Sequence, residues 1–191
     1  MIFPDNPRLV SHKYLRELDL AQPGTYWAQP KLDGWRRILH VDDKRIQVQT
    51  KRGAERRHLP PHLLTGIPAI DGLSLDCEWI GPRRDAARNM PADKLYVFDV
   101  LRYEGEWLRD MPFFYRMQLL EDLKIEHVEA APNPYMHDLL VAQLVNPISE
   151  GIVVRRGDSG LVLSETACRD NSGWVKVKLF QGNRIGDDDD A

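Results

Sequence analysis

The chain has 191 residues, 42% of them hydrophobic and 29% charged, a composition that fits one globular domain and excludes collagen-like and low-complexity chains. Its formal net charge of −3 argues against a generic nucleic-acid coat. No apolar run approaches the roughly 18 residues that cross a bilayer, and the first residues lack the apolar stretch of a secretory signal. We therefore expect a cytoplasmic protein with no membrane partner.

Charged residues are concentrated in three segments. Two are basic and comprise Lys51, Arg52, Arg56, Arg57 and His58, and Arg83, Arg84 and Arg88. The third is acidic, Asp187 to Asp190, within an end segment 181–191 that we expect to be a disordered tail. Basic clusters neutralise phosphates in nucleic-acid complexes, but solvated loops have the same composition, so both interpretations stay open. Cys77 and Cys168 have no partner at metal-ligand spacing, which predicts two reduced packing residues.

The predicted elements begin with one amphipathic helix. It starts at Asp5 or Asn6 and ends before Pro23-Gly24, because leucine and tyrosine residues recur at helical spacing between them. Short β-rich runs come next, with a hairpin turn predicted at Asp42-Asp43. The first predicted strands are TYWAQPK, GWRRILHV and KRIQVQT.

Strands and helices are mixed in the rest of the chain. Strands LSLDCEWIG and KLYVFDVLR precede a helix predicted after Pro112 and another over Met136 to Val145, and strands EGIVVRR, GLVLS and WVKVKLF close the pattern. Because strands neither alternate strictly with helices nor succeed one another without interruption, we predict the α+β class with mainly antiparallel sheet. No repeat or Gly/Ser-rich linker divides the chain, so we expect one domain, residues 1–180.

The segment Gln29 to Arg36 joins the first two predicted strands through a glycine turn and places Lys31 at a strand-to-turn junction. Its pattern Lys-x-Asp-Gly-x-Arg is expected by chance about 0.002 times in a chain of this length. An ordinary β-turn with a solvated lysine has the same local pattern. The order of the downstream segments adds weight, because LDCEW, YVFDVL, EGIVVRR and WVKVK each fall on a predicted strand.

In this order the segments resemble the motifs of the covalent nucleotidyltransferases, the ATP-dependent DNA ligases and mRNA capping enzymes. The resemblance covers Gln29 to Lys178. Trp174-x-Lys176-x-Lys178 and the segment that begins at Glu150 are closer to the ligase pattern than to the capping pattern, and the usual RNA-ligase string lacks the Asp-Gly pair. The chain is thus similar to a DNA ligase adenylation domain.

This resemblance implies an ATP-grasp-like nucleotidyltransferase fold, with mainly antiparallel sheets flanked by helices and the nucleotide pocket between them. It implies an enzyme of DNA replication, repair and recombination that seals 5′-phosphate/3′-hydroxyl nicks in duplex DNA through lysyl-AMP and adenylated-DNA intermediates. ATP is the expected nucleotide, because the sequence before residue 25 has no room for the module typical of NAD-dependent ligases, and Mg²⁺ or Mn²⁺ is the expected metal. We expect a monomer in a bacterial or phage-infected cell.

The resemblance also implies roles for individual residues. A lysine that attacks a phosphate must be unprotonated, so its pKa must fall from about 10.4, and nearby cations favour that change. The implied catalytic residues are Lys31, which becomes lysyl-AMP, with Glu150, Lys176 and Lys178. The implied nucleotide-binding residues are Gln29 on the adenine edge, Arg36 and Glu78 on the ribose and Phe98 stacked on adenine, with Lys31, Lys176 and Lys178. The implied metal ligands are Glu78 and Glu150.

Several of these residues have an ordinary structural alternative. Phe98 would be a core residue, as aromatic residues in strands usually are, and Glu78 would face solvent. Lys176 and Lys178 would line a solvated strand edge, since alternate residues of a strand share one face. Arg116 matches a recurrent family arginine, and we interpret it as structural, paired to an acid, rather than catalytic.

Two features depart from the ligase pattern. Lys51 stands where the family has arginine, so contact with the 5′-phosphate of the nick falls to Lys51 or Arg52, with Arg56 and Arg57 as further contacts to the DNA backbone.

Only 13 residues come after Lys178, too few for the OB domain of ordinary ligases. A minimal enzyme, a fragment and a relative that has lost part of the reaction stay open. The alternative functions are an RNA ligase or capping-like nucleotidyltransferase, and a nonenzymatic nucleic-acid-binding relative.

Overall fold

The computed structural model of the chain describes residues 2–21, 25–51, 53, 59–82, 93–125, 128–130, 149–165 and 170–178. Within these residues the strands are β1 Phe3–Pro4, β2 Asn6–Leu9, β3 Tyr26–Leu32, β4 Trp35–Asp42, β5 Arg45–Thr50, β6 Leu73–Ile80, β7 Lys94–Tyr103, β8 Glu106–Trp107, β9 Val128–Ala130, β10 Ser149–Arg156, β11 Leu163–Ser164 and β12 Asp170–Lys178. The helices are α1 His12–Ala21 and α2 Phe113–Asp122, and a 3-10 turn covers Pro61–Leu63. The predicted α+β class with mainly antiparallel sheet is confirmed.

The first sheet has the strand order β2-β12-β10-β3. Apolar residues alternate along its strands, so that Ala28 and Ile152 lie on one face, where Leu15 of α1 covers them. Gln29 and Lys31 of β3 alternate with this apolar set, so they lie on the opposite face. Helix α1 therefore closes one face of the sheet and leaves the other to the motif residues.

The second sheet has the strand order β5-β4-β6-β7-β8, with β9 beside β7. Helix α2 packs on it through Phe113, Met117 and Leu120, which are buried together with apolar residues of the central strands. The two sheets meet where Gln29 Nε2 donates a hydrogen bond to the carbonyl oxygen of Phe98 at 3.1 Å. The motif face of the first sheet is therefore turned toward the second.

The first strands of the chain lie where a helix start was predicted. The predicted start at Asp5 or Asn6 is wrong, because β1 pairs with β11 and β2 pairs in parallel with β12, and this pairing keeps the backbone extended. The helix begins at His12 instead. The Ser11 hydroxyl oxygen accepts a hydrogen bond from the Tyr14 N–H at 3.3 Å, which is the contact of an N-cap residue.

The hairpin between β4 and β5 turns one residue later than predicted. Asp43 and Lys44 both have positive φ, 50° and 60°, as in a two-residue type I′ turn. Asp42 still pairs with Arg45 across the strands, so the predicted turn at Asp42-Asp43 is wrong by one residue.

The other predicted elements are largely observed. The helix after Pro112 is confirmed as α2, and the last strand starts earlier than predicted, at Asp170. Of GLVLS only β11 is a strand, and the helix predicted over Met136 to Val145 lies outside the described residues. Cys77 is a buried free thiol, as predicted, whereas Cys168 is not described. None of the helices in the described ranges is long and apolar enough to cross a bilayer.

Candidate nucleotidyltransferase site

Lys31 lies one residue before the end of β3, on the face of the first sheet that is turned toward the second. The strand register places it opposite Gly151 of β10, and Gly151 is in turn opposite Lys178 of β12. A Cβ atom at Gly151 would collide with the backbone carbonyl oxygen of Val177, so only glycine lets these strands lie this close. Two lysines are thereby brought into one row, on either side of a residue without a side chain.

Glu150 lies between these two lysines. Its Oε1 contacts Nζ of Lys31, and its Oε2 accepts a hydrogen bond from Nζ of Lys178 at 3.3 Å. The side chains of Lys31 and Glu150 are 19% and 24% exposed, so a ligand can reach them. Lys176 is two residues from Lys178 on β12 and shares its face, opposite Val153. The structure therefore brings together all four residues that were predicted to be catalytic.

The environment of Lys31 raises the fraction of its side chain that is a neutral amine. Burial lowers the pKa of Lys31 to about 8, and the charges of Lys178 and Lys176 act in the same direction, whereas Glu78 and Asp33 raise it. With a pKa near 8, roughly a tenth of the lysine is unprotonated at pH 7, against less than about one part in a thousand for an ordinary lysine. The site thus supplies the free amine that nucleophilic attack requires.

Glu78 extends from β6 toward the turn after β3. Its Oε1 accepts a hydrogen bond from the Gly34 N–H at 3.1 Å. A Cβ atom at position 34 would lie 2.5 Å from the Trp79 carbonyl oxygen, so this close approach needs glycine. Burial raises the pKa of Glu78 to about 7, although the charges of Lys31 and Arg36 oppose the shift. The Glu78 carboxylate of the second sheet is therefore near enough to Lys31 of the first sheet for their charges to interact.

Arg36 lies on β4, directly opposite Glu78 of β6 in the strand register. Its Nε and Nη2 donate to the carboxylate of Asp76 at 2.8 and 2.7 Å, and its Nη1 donates to Oδ1 of Asn6 at 2.9 Å. Neither Asp76 nor Asn6 was predicted to be a site residue: Asp76 is one polar residue in a strand-like segment, and Asn6 was considered only as a possible helix start. The guanidinium is thus held beside the site, and ribose binding by Arg36 and Glu78 stays a prediction.

Gln29 and Phe98 meet between the sheets. Gln29 is 2% exposed, and its Nε2, which binds the Phe98 carbonyl oxygen, also lies 3.9 Å from Sδ of Met117. The Phe98 ring is partly buried beside Leu32 and Tyr96. One part of the ring is packed and another is accessible, so adenine stacking on Phe98 and adenine reading by Gln29 both stay predictions.

Of the residues predicted to bind DNA, the structure describes only Lys51. It is exposed in the turn after β5, where the Gly53 N–H donates to the Thr50 carbonyl oxygen at 2.9 Å. The other predicted DNA contacts, Arg52, Arg56 and Arg57, lie outside the described residues. The second basic cluster and the acidic tail lie outside them too.

A second ion cluster lies between the two sheets, and sequence reasoning predicted only the pairing of Arg116 with an acid, not Asp99 or Arg155 as its members. The carboxylate of Asp99 accepts hydrogen bonds from Nε and Nη2 of Arg116 at 2.8 and 3.0 Å and from Nη1 of Arg155 at 2.6 Å. Cζ of Arg155 lies 3.5 Å from the centre of the buried Trp174 ring. Burial lowers the pKa of Arg155 to about 10, and Asp99 opposes the shift. The prediction that Arg116 pairs with an acid is confirmed.

The carboxylates of the site fit a divalent cation together with a phosphate ligand. In the part of the chain that the structure describes, no three His, Cys, Asp or Glu side chains gather into a metal site. Glu78 and Glu150 offer two carboxylates, and Mg²⁺ is usually bound by one or two carboxylates together with water and substrate phosphates. Metal binding by this pair is consistent with that donor set and stays a prediction.

Several known proteins are similar to this chain in sequence or in fold, although no family model matches it. A protein of Streptomyces griseus named probable DNA ligase is 30% identical over 192 residues, which cover 83% of this chain and 37% of that protein. The ligase domain of M. tuberculosis LigD has a TM-score of 0.65 at 21% identity, covering 82% of this chain and 54% of that one. A mycobacterial DNA ligase D complexed with ATP and MES has a TM-score of 0.62 at 18% identity, covering 83% and 56%.

This chain spans 37%, 21% and 38% of the length of three curated relatives, all of which are named DNA ligase. The structural similarity confirms the predicted fold, because the two ligase D structures cover 82% and 83% of this chain. The chain is therefore similar in sequence to part of several proteins named DNA ligase, and the part that the structure describes has the fold of the DNA ligase nucleotidyltransferase domain.

Proposed function

We propose that the chain is an ATP-dependent DNA ligase, or the nucleotidyltransferase domain of one, that seals 5′-phosphate/3′-hydroxyl nicks in duplex DNA. The cluster of Lys31, Glu150 and Lys178 carries the proposal, because it combines a nucleophile whose pKa is lowered to about 8 with cations that can bind a phosphate. The names of the relatives support it, and one structural neighbour was solved in complex with ATP.

In the first step, Nζ of Lys31 attacks the α-phosphorus of ATP. An N–P bond forms, the bond to the pyrophosphate oxygen breaks, and pyrophosphate leaves. Glu150 contacts Nζ and takes the proton that the amine loses, while Lys176 and Lys178 balance the negative charge that builds up on the phosphoryl oxygens. The AMP of lysyl-AMP then passes to the 5′-phosphate of the nick, and the 3′-hydroxyl displaces it to form the new phosphodiester bond.

The remaining site residues hold the nucleotide. Arg36 and Glu78 contact the ribose, and the accessible part of Phe98 stacks on adenine. Because Nε2 of Gln29 is bound to the Phe98 carbonyl oxygen, its Oε1 is the amide atom left to accept from the adenine amino group. Glu78 and Glu150 would hold Mg²⁺ or Mn²⁺ together with the ATP phosphates, and the ion would supply positive charge at the transferring phosphate.

The DNA substrate is held through its phosphates. Lys51 is exposed at the end of β5, at the start of the basic cluster, and it marks the proposed contact surface together with Arg52, Arg56 and Arg57. Binding to nicked duplex then weakens as salt rises, in proportion to the number of phosphates that are neutralised. We propose a monomer that acts in this way in the cytoplasm.

Nick sealing of labelled duplexes tests the function. With ATP and Mg²⁺, the chain is expected to join an all-DNA nick, and Lys31→Ala is expected to abolish joining. Joining only when one end of the nick is RNA would show an RNA ligase instead. If the chain binds nicked DNA but neither joins it nor takes up AMP covalently, it is a nonenzymatic nucleic-acid-binding relative.

A further inference from the structure

The segment formed by residues 2–10 connects the two sheets at the side of the site. At its start, Nε2 of Gln49 in the second sheet donates a hydrogen bond to the Ile2 carbonyl oxygen at 3.1 Å. At its end, the Val10 N–H donates to the carbonyl oxygen of Lys176 in the first sheet at 3.0 Å, and β2 pairs with β12 along its length. The segment thus fixes two site-bearing sheets against each other.

Between these two anchors the segment reaches Arg36. Nη1 of Arg36 donates to Oδ1 of Asn6 at 2.9 Å, and both Nη1 and Nη2 lie 3.4 Å from the Asp5 carbonyl oxygen. Asp76 holds the other edge of the guanidinium at 2.8 and 2.7 Å. The guanidinium is therefore held from two sides, by a carboxylate of the second sheet and by an amide on the strand next to β12.

The two holders differ in charge. Asp76 is an acid that accepts two hydrogen bonds from the guanidinium, whereas the amide of Asn6 accepts one and adds no negative charge. A second carboxylate in place of Asn6 would add negative charge where a nucleotide phosphate is expected, and would disfavour its binding. An amide thus orients the outer nitrogen without a second acid.

We infer that Asn6 is a positioning residue for nucleotide binding, which acts by orienting Arg36 and by linking it to the strand that carries Lys176 and Lys178. The inference rests on the proposed function, since it takes Arg36 as a nucleotide contact. Asn6 lies 25 positions before Lys31 and outside every motif that marked the site.

Titration of lysyl-AMP formation with ATP tests the inference. Asn6→Ala is expected to raise the ATP concentration for half-maximal labelling on the order of tenfold, the scale of a lost hydrogen bond to a charged group. The labelling rate at saturating ATP and the urea midpoint of unfolding are expected to stay near those of the parent chain. Leu9→Ala is the matched control, because this residue lies on the same strand and is 60% exposed. The control is expected to change nothing.

A double-mutant cycle shows whether Asn6 acts through Arg36. Lysine cannot form the fork that binds both Asp76 and Asn6, so in an Arg36→Lys background Asn6→Ala is expected to change the ATP requirement less than about twofold. A full tenfold effect in both backgrounds would show that Asn6 acts elsewhere. An unchanged ATP requirement, or a loss of saturating rate in step with a loss of stability, would also overturn the inference.

Failure of the proposed function has a different signature. If the parent chain takes up no label, calorimetry with ATP and Mg²⁺ measures binding directly. Weaker binding by Asn6→Ala then supports the inference without the covalent step, and equal binding overturns it. Absence of ATP binding by the parent chain would overturn both proposals.

Discussion

Two ion clusters in this molecule share one plan, a carboxylate between two cations, and differ in their surroundings. Asp99 pairs with Arg116 and Arg155, and all three side chains are at most 3% exposed. Glu150 lies between Lys31 and Lys178, and these side chains are 19% to 27% exposed. The first cluster joins the two sheets through Arg155 and Asp99, and the second lies in the proposed nucleotide site.

The choice of cation separates their roles. Arginine stays charged and binds a carboxylate with a rigid fork. The Asp99 cluster therefore links β7, β10 and α2 through fixed hydrogen bonds. Lysine changes its pKa readily when it is partly buried, and burial lowers the pKa of Lys31 to about 8. We therefore propose that the same arrangement of charges supports the fold in one place and provides a nucleophile in the other.

The greatest change in chemistry is expected from Glu150→Gln. The change keeps the shape of the side chain but removes the proton acceptor of Lys31, so lysyl-AMP formation is expected to slow by about 10² to 10⁴-fold. The free energy of unfolding is expected to change by less than about 1 kcal/mol, because the pair is partly exposed. Single-turnover labelling and urea unfolding measure the two effects. Glu121→Gln, on the exposed side of α2, is the control. If Glu150→Gln slows labelling less than tenfold, Glu150 is not the proton acceptor of Lys31.

The greatest change in stability is expected from Asp99→Asn. It leaves two buried arginines without a carboxylate, which is expected to cost about 3–5 kcal/mol of unfolding free energy. Urea unfolding followed by circular dichroism measures the cost. The exposed pair of Arg156 and Asp158 offers a matched control, and Asp158→Asn is expected to leave the midpoint unchanged. Equal midpoints for the two variants would show that the buried cluster does not support the fold.

Phe98 directly precedes Asp99 on β7, so it lies between the buried ion cluster and the proposed nucleotide pocket. Phe98→Ala tests whether its ring binds the nucleotide or packs in the core. Loss of base stacking is expected to weaken ATP use by about 1–3 kcal/mol, while the rate at saturating ATP is kept. Titration of labelling with ATP measures the effect, and Phe114→Ala, an exposed aromatic residue of α2, is the control. If Phe98→Ala unfolds the chain instead, the ring is a core residue.

The pH dependence of lysyl-AMP formation tests whether the reaction depends on a lysine that titrates, unlike the arginines of the Asp99 cluster, which stay charged. Lys31 is charged below its pKa of about 8, so the amine fraction and the labelling rate are expected to fall toward tenfold per unit as the pH drops below 8 and to level off above it. Single-turnover rates at saturating ATP measure the profile. A flat rate from about one unit below to one unit above the pKa of Lys31 would contradict it.

Most strands and the composition of the site were predictable from local patterns. The strand on each side of Asp33-Gly34 alternates clearly, and the spacing of Lys176 and Lys178 puts both on one face. The resemblance to ligase motifs then placed Glu150 with them, and the register confirms that Lys31 and Lys178 share a row.

The features that the sequence could not show depend on contacts between distant segments. The strands before His12 exist because they pair with β11 and β12, more than 150 positions away. Asp99 lies within an apolar run and Arg155 at the end of one, and only the packed structure shows that they meet although they are 56 positions apart. The contact of Asn6 with Arg36 likewise joins a residue outside the motifs to one inside them.

Mass spectrometry of the chain after incubation with ATP and Mg²⁺ shows whether Lys31 is the covalent nucleophile, on which the whole mechanism depends. We predict one added AMP, located by peptide mapping on Lys31, absent from Lys31→Ala and retained by Lys44→Ala, a change in the exposed turn after β4. An AMP on any other residue, or its persistence on Lys31→Ala, would show that Lys31 is not the nucleophile.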